Sequence, residues 1–377
     1  MHSRVSLRQL ALVFAKIGTL GFGGGVGMLA LIRQEIIEKR RWIDDTELST
    51  AVAMGQMLPG PFVSNYAEYI GYRLAGLKGM VVSVVSLLLP GFLLMLILGY
   101  SYFRFGNLPL IQRLFSGIQP VVAGILAWAT WSIGRANIRT VRTGIIALIA
   151  GIALFLRGDV LLVIIGGGLL GLLFFQKPAP TSSSRIWGSG ILPLLPLTTR
   201  TKIQPLLRAG ELALVFFKMG TVIFGGGFAA IPFLQHEVVE LRGWLTSQEF
   251  VNAVALGQLT PGPVAIMATF IGYRVLGIPG ALIATIGTFL PSGLMLLGLI
   301  RGYEKIRSSP LVQAFLAGVL PAVVGMLAVS TVFVARSAVH GLAPALVAIL
   351  SLLLLLRYRI EPVWLIAGGA LLGLVLP

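Results

Sequence analysis

Residues 14–25 read FAKIGTLGFGGG and residues 216–227 read FFKMGTVIFGGG, an offset of 202 that sets Lys16 against Lys218. The same offset pairs Glu35 with Glu237, Glu38 with Glu240, Trp42 with Trp244 and Glu47 with Glu249. It continues through Gly55-Gln56 and Gly257-Gln258, and through Pro59-Gly60-Pro61 and Pro261-Gly262-Pro263. One residue is then lost, and at 201 Gly71-Tyr72-Arg73 meets Gly272-Tyr273-Arg274, Pro90 meets Pro291 and Pro120 meets Pro321. Asp159 aligns with Glu361, back at 202. Such colinearity means one unit written twice. The halves are expected at 1–177 and 205–377. They are joined by 178–204, a stretch rich in Pro, Ser and Thr that reads as a cytoplasmic linker.

What solvent this doubled unit folds in follows from its charge. Hydrophobic residues make up 56% of the chain and charged residues 11%, against about a quarter in soluble proteins. Mean hydropathy is +0.94. The expected fold is an all-α polytopic membrane protein, with the lipid bilayer as its surroundings. The formal charge of +16 does not indicate nucleic acid, because the basic residues stand singly or in twos and threes between apolar runs. There is no cysteine, and His2, His236 and His340 form no ligand-spaced pair, so neither metal nor cofactor is expected. Residues 1–10 lack a signal-peptide cleavage pattern and read as part of the first helix.

In the first half the apolar stretches are 9–32, 79–103, 114–134, 143–156 and 158–175, each read as a crossing, the fourth with borrowed flanks. Residues 46–76 form two short pieces joined at Leu58-Pro59-Gly60-Pro61, expected as a re-entrant helical hairpin. The second half repeats this order, giving about ten crossings and a hairpin in each half. Five crossings per half is an odd number, so the second copy is expected upside down. Loop charge agrees. Arg33, Lys39, Arg40, Arg41, Arg73, Lys78, Arg135, Arg139 and Arg142 would share one side, against Arg104, Arg113 and Arg157. In the second half Arg242, Arg274 and Arg336 face Arg301, Lys305, Arg307, Arg357 and Arg359 with the bias reversed. Arg4 and Arg8 are discordant, since this scheme leaves them outside.

Inverted repeats with broken helices near the midplane are the architecture of secondary transporters. The first break is Gly23-Gly24-Gly25 after Phe22, repeated as Gly225-Gly226-Gly227 after Phe224. Glycines there free backbone N–H groups and let an anion approach the next helical piece; the alternative is close helix packing alone. The second break is Gln56 with Pro59-Gly60-Pro61, and Gln258 with Pro261-Gly262-Pro263. A proline suits the first helical turn, so each hairpin would aim a helix N-terminus at its tip. The alternative there is a plain re-entrant turn capped by glutamine. Lys16 and Lys218 lie two turns before the glycines, with Thr19 and Thr221 on the same face. A lysine at membrane depth costs about 2.5–3.5 kcal/mol and marks a functional site by default, snorkelling being the alternative. Glu68, without an acidic counterpart in Met267-Ala268-Thr269-Phe270, is the coupling candidate. A carboxylate there could bind a proton or pair with Lys16, the alternative being a water-filled vestibule and no role. Glu35, Glu38, Glu47 and their copies read as surface ion pairs.

The paired FxKxGxxxFGGG and GQxxPGP blocks, each followed by Gly-Tyr-Arg, resemble the chromate ion transporter family in its long, two-domain form. The resemblance implies inner-membrane export of chromate, with resistance as the outcome and sulfate as the competitor of like shape. It carries substrate binding onto Lys16, Phe22, Gly23, Gly24, Gly25, Gln56, Pro59, Gly60, Pro61 and their second-half partners. Uptake of sulfate or a related oxyanion is the alternative, and a homodimer is the one protein partner this reading allows for. A membrane enzyme would need convergent His, Asp, Glu, Ser or Cys, whereas the repeated polar positions are Lys, Thr and Gln, so no enzymatic activity is expected.

Inversion is open to direct measurement. Single cysteines placed at Arg139 and at Ser337 should label with an impermeant thiol reagent from opposite sides of the membrane. Labelling of both from one side would end the inverted-repeat reading.

Overall fold

The computed structural model describes residues 5–22, 24–175, 204–358 and 360–375, and these are helical with short connections. The 178–203 part of the expected linker lies outside them. The first half runs α1 (Leu7–Leu20), α2 (Gly24–Ile32) with a π-helical extension Arg33–Glu38, α3 (Asp45–Met57), α4 (Phe62–Phe105), α5 (Pro109–Asn137), α6 (Val141–Phe155) and α7 (Val160–Phe175). The second half repeats it as α8 (Gln204–Val222), a 3₁₀ turn Gly227–Ala229, α9 (Ala230–Leu234), a π segment Gln235–Leu241 and α10 (Ser247–Leu259). A 3₁₀ turn Val264–Ile266 then leads into α11 (Met267–Arg307), α12 (Pro310–Ala338), α13 (Leu342–Tyr358) and α14 (Pro362–Val375). The punctuation is duplicated too. Pro109 and Pro310 open α5 and α12, where a missing N–H costs nothing. Each half also carries a π segment at the same place.

The first apolar stretch is not a crossing. Lys16 Nζ lies 2.9 Å from Glu35 Oε1, nineteen residues on. A straight helix would separate those residues by about 28 Å, which two side chains cannot bridge. The chain therefore turns back between Leu20 and Gly24, and α1 and α2 form a hairpin with both ends at one face. Lys218 and Glu237, at 3.2 Å, repeat this in the second half. The glycines and the extended Gly21 backbone supply the reversal that a hydropathy window, blind to direction, reads as continuity. The correction also removes the discordance of Arg8, which now stands at the same face as Arg33 and Lys39; Arg4 lies outside the described residues.

The second hairpin takes the expected form: α3 and the first part of α4 meet at residues 58–61, and Arg73 at one open end pairs with Glu47 at the other. Just beyond, Ala75 and Gly76 leave helical geometry, Gly76 at φ 63° and ψ −153°. Leu276 and Gly277 do the same, Gly277 at φ 62° and ψ −145°. The turn reverses the chain, since a Cβ on Gly71 would sit 2.4 Å from the Gly79 carbonyl oxygen. Counted from these matching kinks, Glu68 stands opposite Thr269, not Phe270. Thr269 bonds Thr285 at 2.8 Å in place of an acid.

Among the described residues four helices are long and apolar enough to cross a membrane: 62–105, 109–137, 264–300 and 310–338, and four shorter apolar helices, α6, α7, α13 and α14, accompany them. Eight crossing candidates thus replace the expected ten, and the odd-count argument for inversion lapses. Packing supplies another. Gly325 lies against Ala147 and Gly151, and Phe333 stacks on Phe155, so α12 runs alongside α6 in the same sense. Thr130 bonds Thr331 at 2.9 Å while Gly134 meets Val324, so α5 and α12 run in opposite senses. Arg142 donates to the Phe174 carbonyl at 2.8 Å, while Lys218 lies 3.8 Å from Asp159 at the other end of α6 and α7. Phe175 and Arg208 therefore stand at opposite ends of the bundle, and a linker wholly on the cytoplasmic side does not fit.

The halves are also interlocked. α5 packs on α13 and α14 of the other half, and α12 packs on α6 and α7. Small residues allow this, as in membrane helix pairs generally. A Cβ on Gly117 would lie 2.1 Å from the Gly369 carbonyl oxygen, and one on Gly318 equally close to that of Gly167. Large apolar side chains point outward instead, among them Leu148, Leu162, Leu346 and Trp364.

Thr130 and Thr331 are equivalent positions bonded to each other, so they straddle the axis relating the halves. In this cysteine-free chain, T130C/T331C should oxidise to a cross-link. After cleavage at a protease site placed within 178–204, the oxidised protein should run as one intact chain, and the reduced protein as two pieces. Two pieces under both conditions would contradict the interlock.

Candidate functional site

Four broken-helix tips meet at the centre of the molecule, and each hairpin of one half is tied to the other half. The Gly60 N–H donates to the Ile223 carbonyl at 2.6 Å, and the Gly262 N–H donates to the Gly21 carbonyl at 2.8 Å. These four residues are two repeat-related pairs, so the same bond is made twice. The proline-glycine-proline tip of each half thus closes against the glycine break of the other. Gly60 and Gly262 sit at φ 106° and 105°, a conformation natural to glycine.

At the second glycine break Gly225 and Gly226 have φ 98° and 95°, and Gly227 opens the 3₁₀ turn. Phe62 of the opposite hairpin lies 3.3 Å from where a Gly226 Cβ would stand. Phe224 and Phe22 are half-buried beside the breaks. In the first half Gly24 begins α2, a Cβ on Gly25 would meet nothing within 4 Å, and Gly23 lies outside the described residues. Each hairpin's second helix starts just after Pro61 or Pro263, which stand as N-caps rather than in the first turn itself. The Ser64 and Ile266 N–H groups donate to the Pro61 and Pro263 carbonyls at 3.1 and 2.9 Å, and the N–H groups ahead of them form the positive ends of these helices, toward the tips.

Gln258 completes this arrangement. Its Nε2 is buried and has no hydrogen-bond partner, which makes it a donor in want of an acceptor. Gln56 lies in a cavity of about 520 Å³ with Ser49, Arg33 and Asp45. Asn65, which sequence reasoning passed over, donates to the Gly55 carbonyl at 3.2 Å and leaves its Oδ1 buried and unpartnered.

Other expected residues stand apart from the tips. Thr19 and Thr221 give their hydroxyl protons to the carbonyls of Ala15 and Lys218, at 2.8 and 2.7 Å. Lys16 and Lys218 reach outward along their hairpins. Glu35 lies eleven residues past the start of α2, about 16 Å along the helix, so the amine held there is near the open end of the hairpin. Glu35 and Glu237 are not surface residues, as their sequence setting suggested, but 2% and 3% exposed. Glu35 accepts from Lys16, Lys39 and Arg40. These partners, Lys39 foremost, hold its carboxyl down to about 2 against the opposing effect of burial. Glu237 binds Lys218 and Arg242. The signal for this was present: a lysine at membrane depth needs a counter-ion, and the glutamates recur beside it at the repeat offset.

Glu68 is 2% exposed and its Oε2 has no partner. It does not pair with Lys16. It lines an apolar cavity of about 460 Å³ between α4 and α11, with Met80, Val84, Phe92, Phe289 and Gly293.

Comparison with known proteins accords with this doubled architecture. A chromate transporter family model matches residues 8–172 and again 210–374. A chromate transport protein of Cupriavidus metallidurans is 32% identical over 98% of this chain and 93% of its own. A probable chromate transport protein of Synechococcus elongatus is 33% identical, covering 94% and 91%. An uncharacterized transporter of Bacillus subtilis, YwrA, is 33% identical over 44% of this chain and 96% of its own length, a single half standing alone. No solved structure matches. With the model falling on each half and full-length relatives at this identity, the chain belongs to the chromate transporter family.

Proposed function

We propose that the protein exports chromate across the cytoplasmic membrane, the inner membrane where there are two, and thereby confers chromate resistance. The observation that carries this reading is the reciprocal closure of proline-glycine tips on glycine breaks. It gathers helix N-termini and the unpartnered Gln258 amide in one place, and such groups select anions. In this reading the substrate contacts come from Phe22, Gly23, Gly24, Gly25, Gln56, Pro59, Gly60, Pro61 and their partners. The family and the relatives' names point to chromate among tetrahedral oxyanions. The four hairpins enter from either face to the midplane, two from each, while α4–α7 and α11–α14 cross.

Export against a gradient needs an energy source, and Glu68 is placed to supply it. It is the one acid in residues 62–105, 109–137, 264–300 and 310–338, and it stands in the hairpin arm of α4 ahead of the reversal at Gly76. An unpaired carboxyl facing an apolar cavity is costly as an anion, so it would carry a proton through the transport cycle. The free energy of proton entry would then drive the oxyanion outward.

Everted membrane vesicles should accumulate chromate, and vesicles that instead release it or take up sulfate alone would overturn the assignment. Gln258→Met removes a donor that nothing in the protein uses, so folding and abundance should be unchanged or improved. Its half-saturating chromate concentration should rise about tenfold or more, the worth of one hydrogen bond to an anion. Unchanged affinity would remove Gln258 from the site. Glu68→Gln should still bind chromate and exchange it across the membrane, yet lose the response of net accumulation to an imposed pH gradient. A full response in that variant would assign coupling elsewhere.

A further inference from the structure

The two ion-pair clusters at the hairpin mouths occupy equivalent positions but carry unequal charge. Around Glu35 stand three cations, Lys16 at 2.9 Å, Lys39 at 2.8 Å and Arg40. One carboxylate cannot neutralise three cations, and Lys16 and Lys39 are each about half exposed. Around Glu237 stand only Lys218 and Arg242. Arg242 is shared with Glu211 at 2.8 Å, and Lys218 with Asp159 at 3.8 Å. With Arg208, which lines one pocket with Glu211 and Arg242, three cations there meet three carboxylates. The difference lies in particular residues: Leu241 stands where the first half has Lys39, Glu211 where it has Gln9, and Asp159 arrives from the α6–α7 connection. Nearby groups do not reverse the contrast. Arg33 is engaged by Glu38 and Asp45 in the first half, and Glu240 binds His236 in the second.

We propose that these clusters form an unequal pair of anion mouths, and that the cationic one loads the oxyanion from the cytoplasm. This rests on the oxyanion-transport reading above and on the sidedness that loop charge implies. The hairpin ends of the first half share their face with Lys78, Arg135, Arg139 and Arg142, the richer side in basic residues. An excess of positive charge at a mouth raises the local concentration of a dianion and its rate of entry. The balanced cluster at the opposite mouth gives no such enrichment. The tips treat the two faces nearly alike, as a repeat must. The mouths break that equality and favour loading from within.

The test compares both sides of the protein in proteoliposomes of known orientation, with chromate supplied to one face at low and high salt. For the wild type, half-saturation from the cytoplasmic face should rise with ionic strength more steeply than from the outer face. Lys39→Leu leaves Glu35 paired with Lys16 and Arg40. It should raise the cytoplasmic half-saturating concentration by about threefold or more at low salt, and flatten its salt dependence. The outer face should not change. The double variant Leu241→Lys, Glu211→Gln should lower the half-saturating concentration at the outer face. A merely structural cluster predicts otherwise, with both faces affected equally or neither, and that result would overturn the proposal. Failure of the wild type to move chromate at all would instead count against the function, a separate outcome.

Discussion

A helix broken inside hydrocarbon exposes backbone N–H and C=O groups where no water can take them. In this chain those groups are taken by the opposite repeat: the Gly60 N–H by the Ile223 carbonyl, the Gly262 N–H by the Gly21 carbonyl. Neither half can satisfy its own tip this way, so the break in each is tolerable only in the presence of the other. Everything around the centre follows from that mutual dependence, including the convergence of helix N-termini, the close approach of Phe62 to Gly226 and the stranded Gln258 amide.

The outer helices impose the same dependence by another means. Because α5 lies on α13 and α14 while α12 lies on α6 and α7, each half surrenders its last two helices to its twin. Glycines at the crossings bring backbones within contact, and contact of this kind is what holds helices together where lipid is as apolar as leucine. A half-length relative such as YwrA would need a second half-length chain to make the same exchange. In the long chain the partner is covalently supplied.

Symmetry ends at the charged and titratable side chains. Glu68 has a threonine opposite it, and the cluster at Glu35 is cationic where that at Glu237 is balanced. A duplicated scaffold offers two like faces and no preferred direction. Vectorial transport needs a difference between them, and here it resides in a few substitutions that leave the backbone pattern alone.

The duplication, the helical class, the two glycine-proline breaks and the anionic nature of the substrate were legible in the residues themselves. All depend on local composition and on a repeat that one chain displays against itself. Direction was not. The stretch 9–32 has the hydropathy of a crossing, but hydropathy is a scalar, and only the Lys16–Glu35 contact reveals a chain that turns back. The antiparallel setting of the halves was reached by counting helices, and the count was wrong; helix packing decided it. Burial of Glu35 likewise escaped a reading by neighbours in sequence, because Lys39 and Arg40 made it look like a surface pair, whereas Lys16 closes on it from another helix. Local sequence determined which segments could break and what charge they carried. Tertiary structure decided which break meets which, because the tip bonds join residues more than a hundred and fifty apart and Lys16 reaches Glu35 from nineteen residues away.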